Sequence, residues 1–123
     1  MVVRTMPEGA ENVIEHEEMG NNLSLNDGDT IINLKKREKD FDVHIDFCFD
    51  EFGMLINGVG EGAQKYVAQI DIPARKYEEK TEENPDFDEN EEETETNKKT
   101  ITKRIPVPFS MDNVVLTLWE LEV

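Results

Sequence analysis

The densest group of side chains able to bind a cation lies in residues 82–97, EENPDFDENEEETETN, where nine of sixteen residues are acidic. Oxygen-bearing side chains recur from Asp86 to Glu92 at the alternate spacing that opens an EF-hand calcium loop. The glycine that such a loop needs at its sixth position is replaced by Glu91, and the glutamate at its twelfth by Asn97. We therefore predict a solvated, charged loop without a dedicated metal site, and weak Ca²⁺ binding is kept as an alternative function.

A second set of potential ligands, His44, Asp46 and Cys48, occupies alternate positions. On one strand such side chains lie about 7 Å apart, so they converge on one metal ion only with ligands from other strands. Cys48 stands between Asp46 and Asp50, the opposite of the electropositive setting that activates a thiolate. We therefore expect a half-exposed polar face here, on which His44 titrates at mildly acidic pH.

Motifs for other chemistries are incomplete. Gly58, Gly60 and Gly62 give the run GVGEGA, but a phosphate-binding loop needs a helix after it, and the residues that follow alternate as in a strand. The only serines, Ser24 and Ser110, lack the context of a nucleophile elbow. We therefore expect no catalytic residue and no cofactor, and predict that the protein is not an enzyme.

Strands are the elements that would position these side chains. In the stretch FDVHIDFCFD, apolar and polar residues alternate over ten positions, which predicts a strand with one buried and one polar face. The buried face would contain Phe41, Val43, Ile45, Phe47 and Phe49.

Other segments extend this pattern. In residues 65–72 the alternation places four side chains on one side, Tyr66, Ala68, Ile70 and Ile72. The run at 114–123, VVLTLWELEV, begins apolar on both faces, which is typical of a central strand, and Asn-Asp-Gly-Asp at 26–29 is a strong turn signal. The sequence therefore predicts an all-β fold, a single sandwich or small barrel of about six to seven mostly antiparallel strands.

The amino-terminal segment, residues 1–24, has weak periodicity. Its stretch AENVIEHEEM is compatible with a short amphipathic helix that turns Ala10, Val13 and Ile14 inward, or with an extended arm. We expect residues 1–24 to form such an arm or helix and residues 25–123 to form the β domain.

The two extended segments that flank the acidic run are predicted to pair. They would form a projecting β-hairpin over residues 73–105, with an acidic tip at 82–97. The expected antiparallel register sets Tyr77 opposite Ile101, Glu79 opposite Lys99 and Pro73 opposite Ile105, and the Glu79–Lys99 pair would be a favourable cross-strand ion pair.

Charge and cysteine content limit the class of protein. The net charge of −16, from 29 acids and 13 bases, would repel nucleic acid, and direct nucleic-acid binding is not expected. The single cysteine permits no intrachain disulfide, which suits a reducing compartment. No run has the character of a signal peptide or a membrane span. We expect a cytoplasmic protein, or a component of a virion.

These features favour a structural, assembly or interaction protein over an enzyme. A β domain with a projecting hairpin suits a subunit that contacts other protein subunits, in a homo-oligomer or a larger assembly such as a phage virion. The residues expected to bind the partner are Tyr77, Asp86, Phe87, Asp88, Glu91, Glu92, Glu93, Lys99, Ile101 and Lys103. The alternative is an acidic inhibitor or nucleic-acid mimic that blocks a basic groove on a nucleic-acid enzyme.

Overall fold

The computed structural model describes residues 1–58 and 65–121, and these form ten strands and two single-turn 3-10 helices, Lys35–Arg37 and Met111–Asn113. In chain order the strands are β1 (Val2–Met6), β2 (His16–Met19), β3 (Asn22–Leu25), β4 (Thr30–Asn33), β5 (Val43–Phe49), β6 (Leu55–Asn57), β7 (Lys65–Ile72), β8 (Tyr77–Glu83), β9 (Thr100–Pro106) and β10 (Val115–Trp119). The described part of the chain is nearly all-β, as predicted. None of its helices has the length and apolar character needed to cross a membrane.

The strands form three sheets. The largest has five strands in the order β1-β10-β7-β5-β6, the second has the order β2-β3-β4, and the third contains only β8 and β9. All pairs are antiparallel except β1 with β10, which confirms the mostly antiparallel prediction. Over the described residues no sheet closes on itself.

One hydrophobic cluster contains side chains of the two larger sheets. Its buried members are Ile14, Leu23, Leu25, Ile32, Leu34, Ile45, Phe47, Val67, Ala68, Ile70, Ile72, Met111, Val114, Leu116 and Leu118. The predicted central position of the last strand is confirmed, since β10 lies between β1 and β7, although it ends at Trp119. The predicted turn at 26–29 joins β3 to β4, where Asn26, Asp27 and Gly28 all have positive φ angles.

The prediction of an arm or short helix over residues 1–24 is wrong. Strand β1 pairs with β10, where the amide of Val2 donates to the carbonyl of Val114 at 2.8 Å, and β2 pairs with β3. Ile14 lies between these strands in sequence and is only 3% exposed. Tertiary pairing and burial thus override a helical periodicity that is too short and too weak to form a stable helix.

A β-bulge changes the predicted alternation of β7. Phe47 of β5 lies opposite Ala68, but its neighbour Cys48 lies opposite Tyr66, which leaves Val67 as the extra residue. Val67 and Ala68 are therefore both buried, and Tyr66, predicted to be buried with Ala68, is 40% exposed.

The alternation predicted over residues 41–50 differs from the observed burial at two positions, Phe41 and Cys48. Phe41 precedes β5 and is 66% exposed, so the buried face begins after it. Cys48 is 2% exposed and not half-exposed, because the bulge and the pairing with Tyr66 and Ile56 place it between β6 and β7.

The described chain divides into two compact units. The first comprises Met1–Arg75 and Phe109–Val123, and the second, here the hairpin unit, comprises Lys76–Pro108. The hairpin unit contains the antiparallel pair β8–β9, so a β-hairpin follows residue 73 as predicted.

The predicted register of this hairpin is wrong. Tyr77 lies opposite Pro106, Glu79 opposite Arg104, and Glu82 opposite Ile101. The acidic tip was expected to begin at residue 82, but β8 continues through Glu83, which pairs with Thr100. The paired part of the hairpin therefore extends into the segment that was predicted to be the tip. The observed register differs from the predicted one by an odd number of residues. Tyr77 and Ile101, which were predicted to lie opposite each other on one face of the hairpin, therefore lie on different faces.

Candidate functional site

The stem of the hairpin unit has two different faces. Directly opposite residues of an antiparallel pair share a face, so Tyr77 lies with Glu79 and Arg104 on one face, and Ile101 and Lys103 lie on the other. The guanidinium of Arg104 stands 3.8 Å from the centroid of the Tyr77 ring, a cation–π contact. The predicted partner-binding residues of the stem are thus split between the two faces.

The second face combines apolar and charged groups. Ile101 and Ile105 are half-buried, whereas the remaining residues of β9 are exposed. Beside them the Nζ of Lys103 donates to the Oε2 of Glu82 at 3.0 Å. An exposed ion pair of this kind contributes at most about 1 kcal/mol, so it adjusts the stem and does not determine its register.

The loop between the strands, residues 84–99, is organised around the buried side chain of Asn97. Its Oδ1 accepts from the amide of Asp88 at 2.9 Å, and its Nδ2 donates to the carbonyls of Asp88 and Glu92, each at 3.1 Å. Asn97 is 8% exposed, so three hydrogen bonds satisfy it away from water. Asn97 therefore closes the loop from inside and does not face a cation as the last ligand of a calcium loop would.

The two ends of this loop are joined by Asn84. Its amide donates to the carbonyl of Lys99 at 3.0 Å, its Nδ2 donates to the carbonyl of Lys98 at 2.8 Å, and its Oδ1 accepts from the amide of Asp86 at 3.0 Å. The predicted partner residue Lys99 is consequently part of the loop closure and lies outside the strands.

The predicted acidic partner residues all lie on this loop and are exposed: Asp86, Asp88, Glu91, Glu92 and Glu93. Phe87 is half-buried, and its amide donates to the carbonyl of Asn84 at 3.1 Å. Across residues 1–58 and 65–121, no three histidine, cysteine or acidic side chains are grouped so that they could hold a metal ion. The arrangement is a fixed backbone that presents separate carboxylates to solvent.

A polar network that the sequence did not reveal crosses three strands of the largest sheet. His44 and Asp46 of β5 lie opposite Asp71 and Gln69 of β7, on the face away from the hydrophobic cluster, here the outer face. The Nδ1 of His44 donates to the Oδ1 of Asp71 at 2.5 Å, and its Nε2 donates to the Oδ1 of Asp46 at 2.6 Å. The same oxygen of Asp46 accepts from the Nε2 of Gln69 at 2.8 Å, and the Oε1 of Gln69 accepts from the indole of Trp119 at 2.8 Å.

Both ring nitrogens of His44 face carboxylate oxygens, which only accept hydrogen bonds. The ring fills both roles only as an imidazolium. The hydrogen bond to Asp71 therefore raises the pKa of His44 above 6.5, burial opposes this, and the bond to Asp46 adds to the increase. His44 thus titrates above the mildly acidic range expected from the sequence.

This pKa shift gives a pH dependence with a definite sign. Because the pKa of His44 is raised in the folded chain, its stabilising contribution is fully present below the unfolded value of 6.5 and is lost as the pH rises through the folded value. The side chain is 48% exposed, so the contribution is at most about 1 kcal/mol. Urea unfolding should show wild type more stable than His44→Gln at about pH 6, with a smaller difference at about pH 9. A difference that is equal at both values would contradict this assignment.

The other groups considered from the sequence do not join this network. Burial, and then the charge of Asp46, raise the pKa of the Cys48 thiol, which leaves it protonated and unreactive. Gly58 follows β6, while Gly60 and Gly62 lie outside the described residues. Ser110 caps the second 3-10 helix by accepting from the amide of Asp112, and Ser24 is buried in β3.

The sequence placed His44 and Asp46 on one strand face but missed Asp71, Gln69 and Trp119. The only signal was the same alternation in β7, where Gln69 and Asp71 interrupt the apolar residues at alternate positions. Their contact with β5 depends on the register between strands, which alternation does not supply. No protein-family model, curated protein or solved structure matches the chain.

Proposed function

We propose that the chain is a non-catalytic assembly protein and that the hairpin unit is its contact element with other copies of the chain. The observation that supports this most directly is the sheet order of the hairpin unit: β8 and β9 pair only with each other over the described residues. A two-stranded sheet is marginally stable by itself in water, and it gains stability when a partner adds a strand or covers a face.

The side chains of the stem are suited to such a contact. Ile101 and Ile105 offer apolar area on one face, next to the Lys103–Glu82 ion pair. A partner that covers this face would bury the two isoleucines, and the charges at its margin would fix the orientation of the contact. On the other face Tyr77 carries the stacked guanidinium of Arg104, a combination that is common in binding surfaces.

The loop adds electrostatic selectivity. Its hydrogen bonds through Asn84 and Asn97 hold the backbone before any partner arrives, which lowers the entropy lost on binding. The exposed carboxylates then favour a basic surface, and the chain itself offers Lys35, Lys36 and Arg37 in an exposed 3-10 helix. The loop of one copy and the basic helix of another are complementary in charge.

The architecture that we propose for the larger unit is a sandwich. The five-stranded and three-stranded sheets supply side chains to one buried cluster, as two facing sheets do. Such a sandwich has a buried core of its own, and a role in assembly requires no catalytic cavity.

Light scattering over a range of concentrations tests the proposal. Wild type should form a defined oligomer, and replacement of residues 84–99 by a two-residue Asn-Gly turn should shift it towards monomer while the far-ultraviolet circular dichroism of the sheets persists. A wild type that is monomeric at every concentration would contradict self-assembly, and an oligomer unchanged by this replacement would contradict a contact made through the loop of the hairpin unit.

A matched pair of charge variants separates the loop from the net charge. One variant carries Glu91→Gln, Glu92→Gln and Glu93→Gln, and the other carries Glu8→Gln, Glu11→Gln and Glu18→Gln, all at exposed positions. Both remove three charges, but only the first should weaken assembly. Equal effects would show that overall repulsion governs association. If wild type proves monomeric and binds a basic nucleic-acid enzyme in a salt-sensitive manner, the acidic-inhibitor alternative gains support.

A further inference from the structure

The polar network of the outer face connects a titratable group to the only tryptophan of the chain. The order of contacts is Asp71, His44, Asp46, Gln69 and Trp119, and it crosses from β5 through β7 to β10. His44 is 48% exposed and borders an open depression of about 250 Å³, so its ring can exchange protons with water. The network therefore has an accessible proton at one end and an indole at the other.

The orientation of the Gln69 amide is fixed by its two partners. Asp46 can only accept, so the Nε2 of Gln69 must point to it, and the indole of Trp119 can only donate, so the Oε1 must point there. Rotation of the amide would break both bonds at once. Any displacement of Asp46 therefore changes the acceptor that holds the indole.

His44 and Gln69 donate to the same oxygen, Oδ1 of Asp46. This shared acceptor connects the histidine to the glutamine. When the ring is an imidazolium, its Nε2–H holds that oxygen between β5 and β7. When the ring loses this proton, the Nε2 lone pair faces the carboxylate, and an attraction becomes a repulsion.

We propose that this network is a pH-sensitive switch, in which loss of one proton from His44 displaces Asp46 and thereby releases the indole of Trp119 from Gln69. The proton passes from Nε2 to water, and the neutral ring keeps its Nδ1–H donated to Asp71, the nearer of its two partners at 2.5 Å against 2.6 Å for Asp46. The outer face then carries one more net negative charge and a tryptophan whose indole N–H is directed to solvent.

Among residues 1–58 and 65–121, the charges that act on His44 are those of Asp71 on β7 and Asp46 on its own strand. Asp42, which lines the same depression, accepts from the amide of Ala74 at 2.8 Å. Asn113 and Val115, which also line the depression, are uncharged. The proton balance of the switch is therefore set by the two carboxylates that hold the ring.

Intrinsic fluorescence of Trp119 measures the switch directly because no other tryptophan contributes. We expect the emission of wild type to change in a single-proton transition that lies above the ordinary histidine range and below the range in which tyrosine ionises. Its midpoint should lie above 6.5 and coincide with the midpoint of the His44 ring protons followed by nuclear magnetic resonance. A flat emission profile across the His44 titration would overturn the proposal.

Three variants locate the coupling. His44→Gln should abolish the fluorescence transition, whereas His16→Gln, which removes the other histidine from exposed strand β2, should leave it unchanged. Gln69→Leu should remove the transition from Trp119 emission while the ring protons of His44 still titrate. If Gln69→Leu retains the emission change, the connection through the glutamine is wrong, and if His16→Gln loses it, the wrong histidine has been assigned.

Discussion

Replacing Phe47 with alanine should lower the free energy of unfolding by about 3–5 kcal/mol, the range for loss of a buried phenylalanine. The side chain is 1% exposed and belongs to the shared hydrophobic cluster, in a strand with neighbours on both sides. Its cross-strand partner in β7 is Ala68, whose single methyl group cannot fill the space that the ring would leave. Urea unfolding with an unchanged dependence on denaturant would measure this loss.

Phe41→Ala is the matched control. The sequence alternation assigned Phe41 and Phe47 to the same buried face, but in the structure Phe41 is 66% exposed and lies before β5 begins. Its replacement should therefore change the free energy of unfolding by no more than about 0.5 kcal/mol. Comparable losses in the two variants would contradict the position at which the buried face begins.

These two phenylalanines show what alternation predicts and where it stops. The pattern in residues 41–50 identified β5 correctly because one face of the strand is buried and the other is polar. It could not show where the buried face begins, because this depends on the pairing with β7. That pairing begins at Val43, opposite Ile72, and the first buried residue of β5 is Ile45, opposite Ile70. Nor could it predict the bulge at Val67, since an extra residue in one strand is visible only from the register of both.

The hairpin was predictable and its register was not. Two extended segments around a long acidic run indicate a pair of strands, and β8 and β9 follow that expectation. The register was inferred from cross-strand charge pairs, which are worth only a few tenths of a kcal/mol to about 1 kcal/mol each. The side chains of Asn84 and Asn97 form five hydrogen bonds that close the loop, more than the single charge pair from which the register was inferred. Nothing in the linear sequence distinguishes these two residues from ordinary exposed asparagines.

The polar network was only partly predictable for a similar reason. His44 and Asp46 are two residues apart, so a strand must place them on one face, and this was inferred. The partners Asp71 and Gln69 reach them through the pairing of β5 with β7. The alternation of β7 shows that Asp71 and Gln69 lie on its polar face, but it does not show which strand supplies the side chains that they contact.

The second large effect should come from Asn97→Ala, which we expect to destabilise the loop of the hairpin unit by about 1–3 kcal/mol. The substitution removes three hydrogen bonds and leaves the amide of Asp88 and the carbonyl of Glu92 without the partner that satisfies them in wild type. Because these groups surround a side chain that is 8% exposed, water does not replace the lost bonds without opening the loop. The shared hydrophobic cluster of the larger unit contains no residue of this loop, so its unfolding should be unaffected.

Amide hydrogen exchange resolves this prediction residue by residue. A loss of about 1–3 kcal/mol should speed exchange roughly fivefold to 150-fold at residues 84–99 in Asn97→Ala, with little change in β5 and β7. Asn97→Asp separates the contributions, because it keeps an acceptor for the Asp88 amide but loses both donated bonds and adds a charge beside two carbonyl groups, so it should also speed exchange. Asn90→Ala, at an exposed position of the same loop, should leave exchange at wild-type rates. If Asn90→Ala and Asn97→Ala behave alike, the loop is not organised around Asn97, and the carboxylates that it carries are not held in place before a partner binds.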